Sequence, residues 1–230
     1  MSDNNKKLLA FSSEILYNFS DEMRGEIMRT FYQTDIEKRI LNYENGYVFS
    51  AFDFRDIAGT DAINKSLSRL NEEGKIRRVI QGYYDIPLYS ELIKEYSAPD
   101  IESLANAIAR KYNWTIAPTG DVVLNIMHLS TQVPNTWEYI SDGPTRQFEI
   151  GAYILKFKKC SNREISGKSR MTNLLIQAIK AIGKNNITDE HLSKLKTVVN
   201  ASDIKIAQQE AFNTTEWVYT NICKLAKEMA

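Results

Sequence analysis

Short amphipathic stretches separated by turns fill residues 34–87. Apolar side chains at helical spacing predict a short helix over residues 34–43, and a cap with a hydrophobic staple formed by Phe49 and Phe54 predicts a second over residues 50–57. Each is expected to begin with a capping box, in which Thr34 and Ser50 are the capping residues. Two short, capped helices therefore open this region.

A third helix and a hairpin follow. Apolar residues spaced by four and then three positions predict a helix that Thr60 caps and that Gly74 ends. Two β-prone runs, residues 76–80 and 83–86, flank the two-residue turn Gln81-Gly82 and predict a compact hairpin. Three short helices and a hairpin are the layout of a winged helix-turn-helix.

The second half of the chain mixes strand-like and helical patterns. Its β-prone runs are residues 114–117, 137–140, 146–150 and 153–157, and its helical ones are residues 101–112, residues 121–128 and the region from Met171 onward. Thr188 and Thr214 are expected to cap two of the C-terminal helices. The sequence thus predicts an α+β protein, with a winged helix-turn-helix and then a mixed α/β domain that has a small antiparallel sheet and C-terminal helices.

These patterns divide the chain into three parts. Residues 1–33 form an N-terminal extension with helical stretches at residues 14–19 and 22–31, whose ends weak turn signals leave undefined. Residues 34–87 form the winged helix-turn-helix, and residues 97–230 form the α/β domain. The intervening segment is bracketed by prolines and is interpreted as a connector.

The charge balance and the reactive residues of the sequence restrict the functions that it can have. The 230 residues carry 29 basic and 29 acidic side chains, so composition alone does not indicate nucleic-acid binding. Cys160 and Cys223 form no CxxC pair, and His128 and His191 are each isolated within a predicted helix. The sequence has no phosphate-binding glycine loop either. No cofactor, metal site or catalytic residue is predicted, and the chain is interpreted as a non-enzyme.

Two further patterns bear on enzyme and membrane functions. A metal-dependent nuclease needs an acid-x-Lys pair on a strand, but Glu73-Gly-Lys75 falls in a turn and Asp203-Ile-Lys205 in helical sequence. The N-terminal apolar run spans three residues, too few for a signal peptide or a membrane span. We expect a cytoplasmic protein without a membrane partner.

The third helix offers a polar face for DNA. Placing Ile63, Leu67 and Leu70 inward turns the intervening polar residues outward, where amide and basic side chains can reach base edges or phosphates. Two arginines at the first strand of the wing are expected to grip the neighbouring backbone. The predicted DNA-binding residues are Thr60, Asn64, Lys65, Ser68, Arg69, Arg77 and Arg78. The alternative is a solvated polar face used for protein contacts.

A basic cluster lies in the second half. It contains Lys156, Lys158, Lys159, Arg163, Lys168 and Arg170 and is opposed only by Glu164. Such a cluster can touch nucleic acid, but we favour a solvated strand edge and loop, where lysines discourage edge pairing.

Residues 49–87 resemble the N-terminal domain of AbiEi-like antitoxins. The resemblance is carried by Gly59, Leu67-Ser-Arg-Leu70, Gly74-Lys-Ile76 and Gly82-Tyr-Tyr84. It extends into the second half, where Pro118-Thr-Gly120, Leu129-Ser-Thr-Gln-Val-Pro134 and Gly143-Pro-Thr-Arg146 are similar to the central signature of one branch of that family. The Ser-Thr-Gln-Val-Pro stretch is the more distinctive part.

The resemblance implies an antitoxin of a type IV toxin-antitoxin pair in phage defence. Its winged domain would bind double-stranded DNA at its own operator and repress its operon, and its second domain would counteract a nucleotidyltransferase-like toxin without a stable complex. Thr131, Gln132 and Arg146 are the candidate antitoxin surface, although Gln132 can equally serve to cap neighbouring backbone. The alternatives are a defence nuclease or other enzyme targeted by a winged domain, and a protein-interaction module.

Overall fold

The computed structural model describes residues 21–92 and 94–229, with the backbone alone over residues 21–29. The helical stretch predicted at residues 14–19 lies outside this part of the chain. The contacts divide the molecule into two compact units, Met1–Asp100 and Ile101–Ala230.

The first unit is a winged helix-turn-helix followed by a small hairpin. Its elements are helix α1 (Asp21–Leu41), strand β1 (Val48–Ser50), the 3₁₀-helix η1 (Ala51–Phe54), helix α2 (Thr60–Glu72), and strands β2 (Arg77–Ile80), β3 (Tyr83–Asp85), β4 (Tyr89–Ser90) and β5 (Glu95–Tyr96). Strands β1 to β3 form an antiparallel sheet in the order β1-β3-β2, and β4 pairs with β5. The hairpin β2–β3 is the wing.

One apolar core holds this unit together. Ile36 of α1 and the stripe Ile63, Leu67 and Leu70 of α2 are each at most 1% exposed, which confirms the predicted inward face of both helices. The core also contains Phe49, whose ring stacks at 6.4 Å on Tyr84 of β3. Burying these side chains stabilises the unit by roughly 1.5–3 kcal/mol for each large one.

Two predicted helix starts are wrong. Thr34 lies inside α1 instead of capping a helix there. Its hydroxyl donates to the Thr30 carbonyl at 2.8 Å, a hydrogen bond that a threonine can make without interrupting the helix. Thr60 is the first residue of α2, and Gly59 occupies the capping position without a side-chain hydrogen bond. Ser50 does cap η1, and the side chain of Asp53 accepts from the Ser50 amide in return.

The sequence pattern does not predict strands β1, β4 and β5 or the hairpin that β4 and β5 form. Strand β1 has three residues, and β4 and β5 have two each, which is too short for alternating burial to mark them in the sequence. The β4–β5 hairpin therefore replaces part of the predicted connector between Pro87 and Pro99.

The second unit surrounds a four-stranded sheet with helices. Its elements are α3 (Ile101–Tyr112), β6 (Ile116–Pro118), α4 (Gly120–Ile126), β7 (Thr136–Ser141), β8 (Arg146–Ile150), β9 (Tyr153–Lys159), α5 (Asn162–Ile165), α6 (Arg170–Ile182), α7 (Asp189–Val198), α8 (Ala201–Glu210) and α9 (Glu216–Met229). A helical core forms where α4, α6, α7, α8 and α9 meet. The protein is thus an α+β protein with C-terminal helices, as the sequence predicts.

The sheet has the order β6-β7-β9-β8, and its central pair runs parallel. The other two pairs are antiparallel. The cause is the tight turn at Gly151, which has a φ of +58°: it reverses β8 into β9, and β9 then inserts between β8 and β7. Because β8 lies at the outer edge, β9 runs in the same direction as β7.

No helix within residues 21–92 and 94–229 is long and apolar enough to cross a membrane.

Candidate nucleic-acid interface

Helix α2 presents a polar face to solvent opposite its buried stripe. All five of its predicted DNA-binding residues are exposed, namely Thr60, Asn64, Lys65, Ser68 and Arg69. Ser68 lies four positions after Asn64 and three after Lys65, so it shares a strip of the helix surface with each of them. The acids Asp61 and Glu72 are exposed on the same helix and reduce its positive potential.

The basic residues of this helix differ in whether an acidic side chain already pairs with them. Arg69 forms an ion pair with Glu73, with 3.0 Å between Nε and Oε1, and Glu73 also pairs with Lys75 at 2.9 Å. The Lys75 ammonium and then Arg69 lower the pKa of Glu73. In the part of the chain that the structure describes, Lys65 forms no ion pair. Lys65 is therefore the cation of α2 best placed to meet a phosphate.

The structure corrects the expectation for Arg77. Its Nε donates to Oδ1 of Asp85 at 3.0 Å, and its Nη1 donates to the Ser97 carbonyl at 2.6 Å. The Asp85 side chain is fully buried, so Arg77 neutralises a buried carboxylate and ties the wing to the segment after the β4–β5 hairpin. This guanidinium is committed to the interior of the unit rather than to a phosphate.

The side chain of Arg78, in contrast to that of Arg77, is exposed to solvent. Successive side chains of a strand point to opposite faces, so Arg78 is exposed where Arg77 is not. Its amide donates to Oδ1 of Asn71 at 3.0 Å, which anchors the base of the wing to the end of α2. Among the described residues, the Arg78 guanidinium makes no ion pair. The wing therefore offers one basic side chain beside α2.

Helices α1 and η1 hold this surface in place. Arg39 of α1 forms a two-pronged ion pair with Asp56, at 2.7 and 2.6 Å, and donates at 3.0 Å to the Asp53 carbonyl. The hydrogen bonds from Arg39 lower the pKa of Asp56. The segment that precedes α2 is thus fixed to α1, which makes the interface preorganised.

The candidate antitoxin turn projects from the second unit. Thr131 and Gln132 are exposed, and Pro134 is buried. The Gln132 amide donates to Oγ of Ser130 at 3.2 Å, and its carbonyl accepts from Nδ2 of Asn125 at 3.1 Å. The backbone of Gln132 makes both bonds, and its side chain makes no hydrogen bond within the described part of the chain.

Arg146 lies in a different environment. At the start of β8, its guanidinium lies 5.0 Å from the ring centre of Tyr112 and 5.5 Å from that of Trp114. Neither aromatic residue was singled out from the sequence, because the contact joins α3, the following loop and β8. Gln132 contacts Ser130 and Asn125 through hydrogen bonds, whereas Arg146 contacts Tyr112 and Trp114. These contacts do not bring the two predicted antitoxin residues together.

Three of the six side chains in the basic cluster of the second unit have polar partners. Lys158 bonds Glu138 at 2.9 Å, Arg170 bonds Glu102 at 2.6 Å, and Lys168 donates to the Arg163 carbonyl. Strand β9 is interior to the sheet, so the expectation of an edge strand is wrong. Lys158 and Lys159 of this strand are exposed, and Lys156 is partly buried.

Histidine, cysteine and carboxylate side chains form no group of three or more suited to a metal ion within the described ranges. Nδ1 of His191 accepts from the Thr188 amide in the capping box of α7. His128 follows α4 with a φ of +57°, rather than lying within it as predicted. Burial, followed by Glu164 and Asp142, raises the pKa of the Cys160 thiol.

Comparison with curated proteins gives no significant match. A family model described as a family of unknown function, DUF6088, matches residues 35–206, which include the wing, α2 and the four-stranded sheet. The chain therefore belongs to the DUF6088 family.

Proposed function

We propose that this protein is a DNA-binding transcriptional regulator that represses its own operon. The observation that carries the proposal is the exposed strip Asn64, Lys65 and Ser68 on α2, with the unpaired guanidinium of Arg78 beside it on the wing. In a winged helix, the helix in this position enters the major groove and the wing contacts the flanking backbone.

The chemistry of the strip suits a duplex. An asparagine amide can bond adenine through two hydrogen bonds, which gives sequence preference. Lysine, arginine and serine side chains suit phosphate oxygens, which fix the position of the protein on the DNA. The acids Asp61 and Glu72 oppose non-specific attraction, so we expect binding that depends on base contacts as well as charge.

A reporter assay tests this regulation in cells. The DNA upstream of the gene drives a reporter, and the protein is supplied from a second plasmid. We expect repression that Asn64→Ala combined with Lys65→Ala relieves, while Gln209→Ala combined with Lys205→Ala, an exposed pair on α8, leaves repression intact. Equal repression by both double variants, at equal protein levels, would reject the interface.

We further infer that the second unit is the antitoxin part of a type IV toxin-antitoxin pair. The support is the similarity of residues 118–146 to AbiEi-like antitoxins and the exposure of Thr131 and Gln132 on a turn whose backbone is fixed. The partner would be a nucleotidyltransferase-like toxin, counteracted without a stable complex.

Growth rescue tests the antitoxin inference. The protein is expressed with the toxin encoded beside its gene, and Gln132→Ala is compared with Gln209→Ala at matched soluble levels. We expect Gln132→Ala to reduce rescue and Gln209→Ala to retain it, with both melting curves unchanged. Full rescue by Gln132→Ala would remove this turn from the antitoxin surface.

A further inference from the structure

An exposed aromatic surface carries a guanidinium at the C-terminal end of α3. The rings of Tyr112 and Trp114 stack with centres 4.9 Å apart and an angle of 21° between their planes. The Arg146 guanidinium lies within 5.5 Å of both ring centres. Tyr112 is 41% exposed, and Arg146 is exposed as well, so this surface is in contact with water.

Local backbone structure fixes the indole of Trp114. Asn113 adopts a left-handed φ of +54° after α3, and the Trp114 amide then donates to the Ala109 carbonyl at 2.9 Å. A Cβ at Gly143 would lie 2.3 Å from the indole, so only glycine lets the chain pass this close. Phe157 contacts the same indole edge-to-face at 5.7 Å. A surface held this firmly loses little conformational entropy on binding.

A groove of about 550 Å³ begins at the same indole. It is lined by Asn106 and Arg110 of α3 and by Asn113, which follows the helix. This volume is within the range of about 300–1,000 Å³ typical of small-ligand sites. The exposed amides of Asn106 and Asn113 supply donors and acceptors in the groove that Trp114 also lines.

The charge of the site is positive. Arg110, Lys111 and Arg146 come from two elements, and the ammonium of Lys111 lies 5.6 Å from the ring centre of Tyr112. The carboxylate of Asp142, which accepts the Thr115 amide at 2.9 Å, keeps its negative charge but is outnumbered by these three basic side chains. Stacked aromatic rings, a planar guanidinium and nearby cations are the combination that binds bases together with their phosphates.

A second exposed aromatic pair, Tyr89 and Tyr96 of the first unit, shows which features distinguish the surface formed by Tyr112 and Trp114. Its rings meet edge-to-face at 68°, and no cation–π contact to either ring is present in the described part of the chain. That pair therefore offers neither a continuous flat face nor an adjacent charge, although both of its rings are exposed to solvent.

We propose that Tyr112, Trp114 and Arg146 form a binding site for a nucleobase, carried by single-stranded nucleic acid or by a free nucleotide. The base stacks on the aromatic surface, Asn106 and Asn113 bond its edge, and Arg146 holds the phosphate. This site belongs to the second unit and does not depend on duplex binding by the winged helix.

Fluorescence anisotropy with the full chain tests the proposal. The probes are labelled single-stranded RNA and DNA of one sequence, and unlabelled ATP is the competitor that distinguishes a free nucleotide from a strand. We expect Tyr112→Ala and Arg146→Ala each to weaken binding about fivefold or more, and Tyr112→Phe to retain it. Tyr96→Ala and Arg163→Ala are the matched controls, because each removes an exposed aromatic or arginine elsewhere.

The combination Lys65→Ala with Arg78→Ala separates this site from the winged helix. If the proposal is correct, this double variant binds the single-stranded probes normally. The proposal is overturned if RNA, DNA and ATP all fail to bind at millimolar concentration, or if Arg146→Ala binds as the unchanged protein does. Should Tyr112→Ala alter the circular dichroism spectrum, Arg146→Ala decides, because it removes an exposed side chain.

Discussion

Arg77 and Arg78 are neighbours in the sequence and have different roles in the structure. Both were predicted to grip DNA, but only Arg78 faces solvent, while Arg77 neutralises the buried carboxylate of Asp85. Strand alternation predicts that two adjacent residues differ, but not which one turns inward. That choice depends on the register of β2 and β3, which places Arg77 opposite Asp85.

We predict that Arg77→Ala lowers the free energy of unfolding of the first unit by about 3 kcal/mol, because it leaves the buried Asp85 carboxylate uncompensated. Arg78→Ala should change it by less than about 0.5 kcal/mol. Urea titration followed by hydrogen exchange of the β3 amides measures the effect. All three tryptophans, Trp114, Trp137 and Trp217, lie in the second unit, so their fluorescence is an internal control that should not change.

The close approach of Gly143 to Trp114 gives a second prediction. Gly143→Ala places a methyl group 2.3 Å from the indole, and the resulting displacement should cost about 1–3 kcal/mol in the second unit. Tryptophan fluorescence during urea unfolding measures this cost. The exposed neighbour Gln147→Ala is the control, and a midpoint for Gly143→Ala equal to that control would contradict the packing described.

At the scale of elements, capping patterns predicted some helix starts correctly and others incorrectly. Ser50 and Thr188 cap η1 and α7 as predicted, each within a reciprocal capping box. Thr34 and Thr214 do not begin helices: each instead donates its hydroxyl to a carbonyl earlier in the chain, of Thr30 and Ala211 respectively. A threonine can bond forward as a cap or backward within a helix, and the sequence does not distinguish the two.

The junction of α1 with the segment after η1 should be sensitive to acid. Hydrogen bonds from Arg39 hold the pKa of Asp56 below its ordinary value in the folded protein, so the pair stabilises folding at higher pH. The contribution is lost as the pH falls through the lowered pKa. Because the Asp56 side chain is 65% exposed, we expect less than about 1 kcal/mol.

Unfolding of the first unit at about pH 6 and about pH 3 checks this expectation. Asp56→Asn and Arg39→Ala should each lower stability at the higher pH and lose part of its acid dependence. Combined, they should cost less than the sum of the two single changes. Additive costs would mean that the pair does not couple α1 to this segment.

At the scale of the molecule, periodicity predicted the fold class but not the pairing of distant elements. The α2 stripe and the wing hairpin are local patterns, and both were anticipated. The parallel pair β7–β9 arises because β9 returns between β7 and β8, which no local pattern encodes. The aromatic site was missed for the same reason, since Tyr112 and Arg146 are on separate elements.

Two compact units predict that the chain can be divided between Asp100 and Ile101. Ser97, where the α/β domain was expected to begin, accepts a hydrogen bond from Arg77 and so belongs to the first unit. We expect fragments 1–100 and 101–230 each to unfold cooperatively, the first binding duplex DNA and the second rescuing cells from the toxin. Circular dichroism melting, DNA titration and growth assays test this, and a fragment 101–230 without a cooperative transition would contradict it.

Duplex binding by the purified full chain tests the central claim most directly. Anisotropy titrations with the DNA upstream of its own gene, at several salt concentrations, compare the unchanged protein with Lys65→Ala plus Arg78→Ala and with the control Lys205→Ala plus Arg163→Ala. We expect weaker binding by the first double variant and a logarithmic salt slope reduced by about 0.9 for each lost phosphate contact, with the control unchanged. Binding of equal strength and equal salt slope in both double variants would contradict the interface on α2 and the wing.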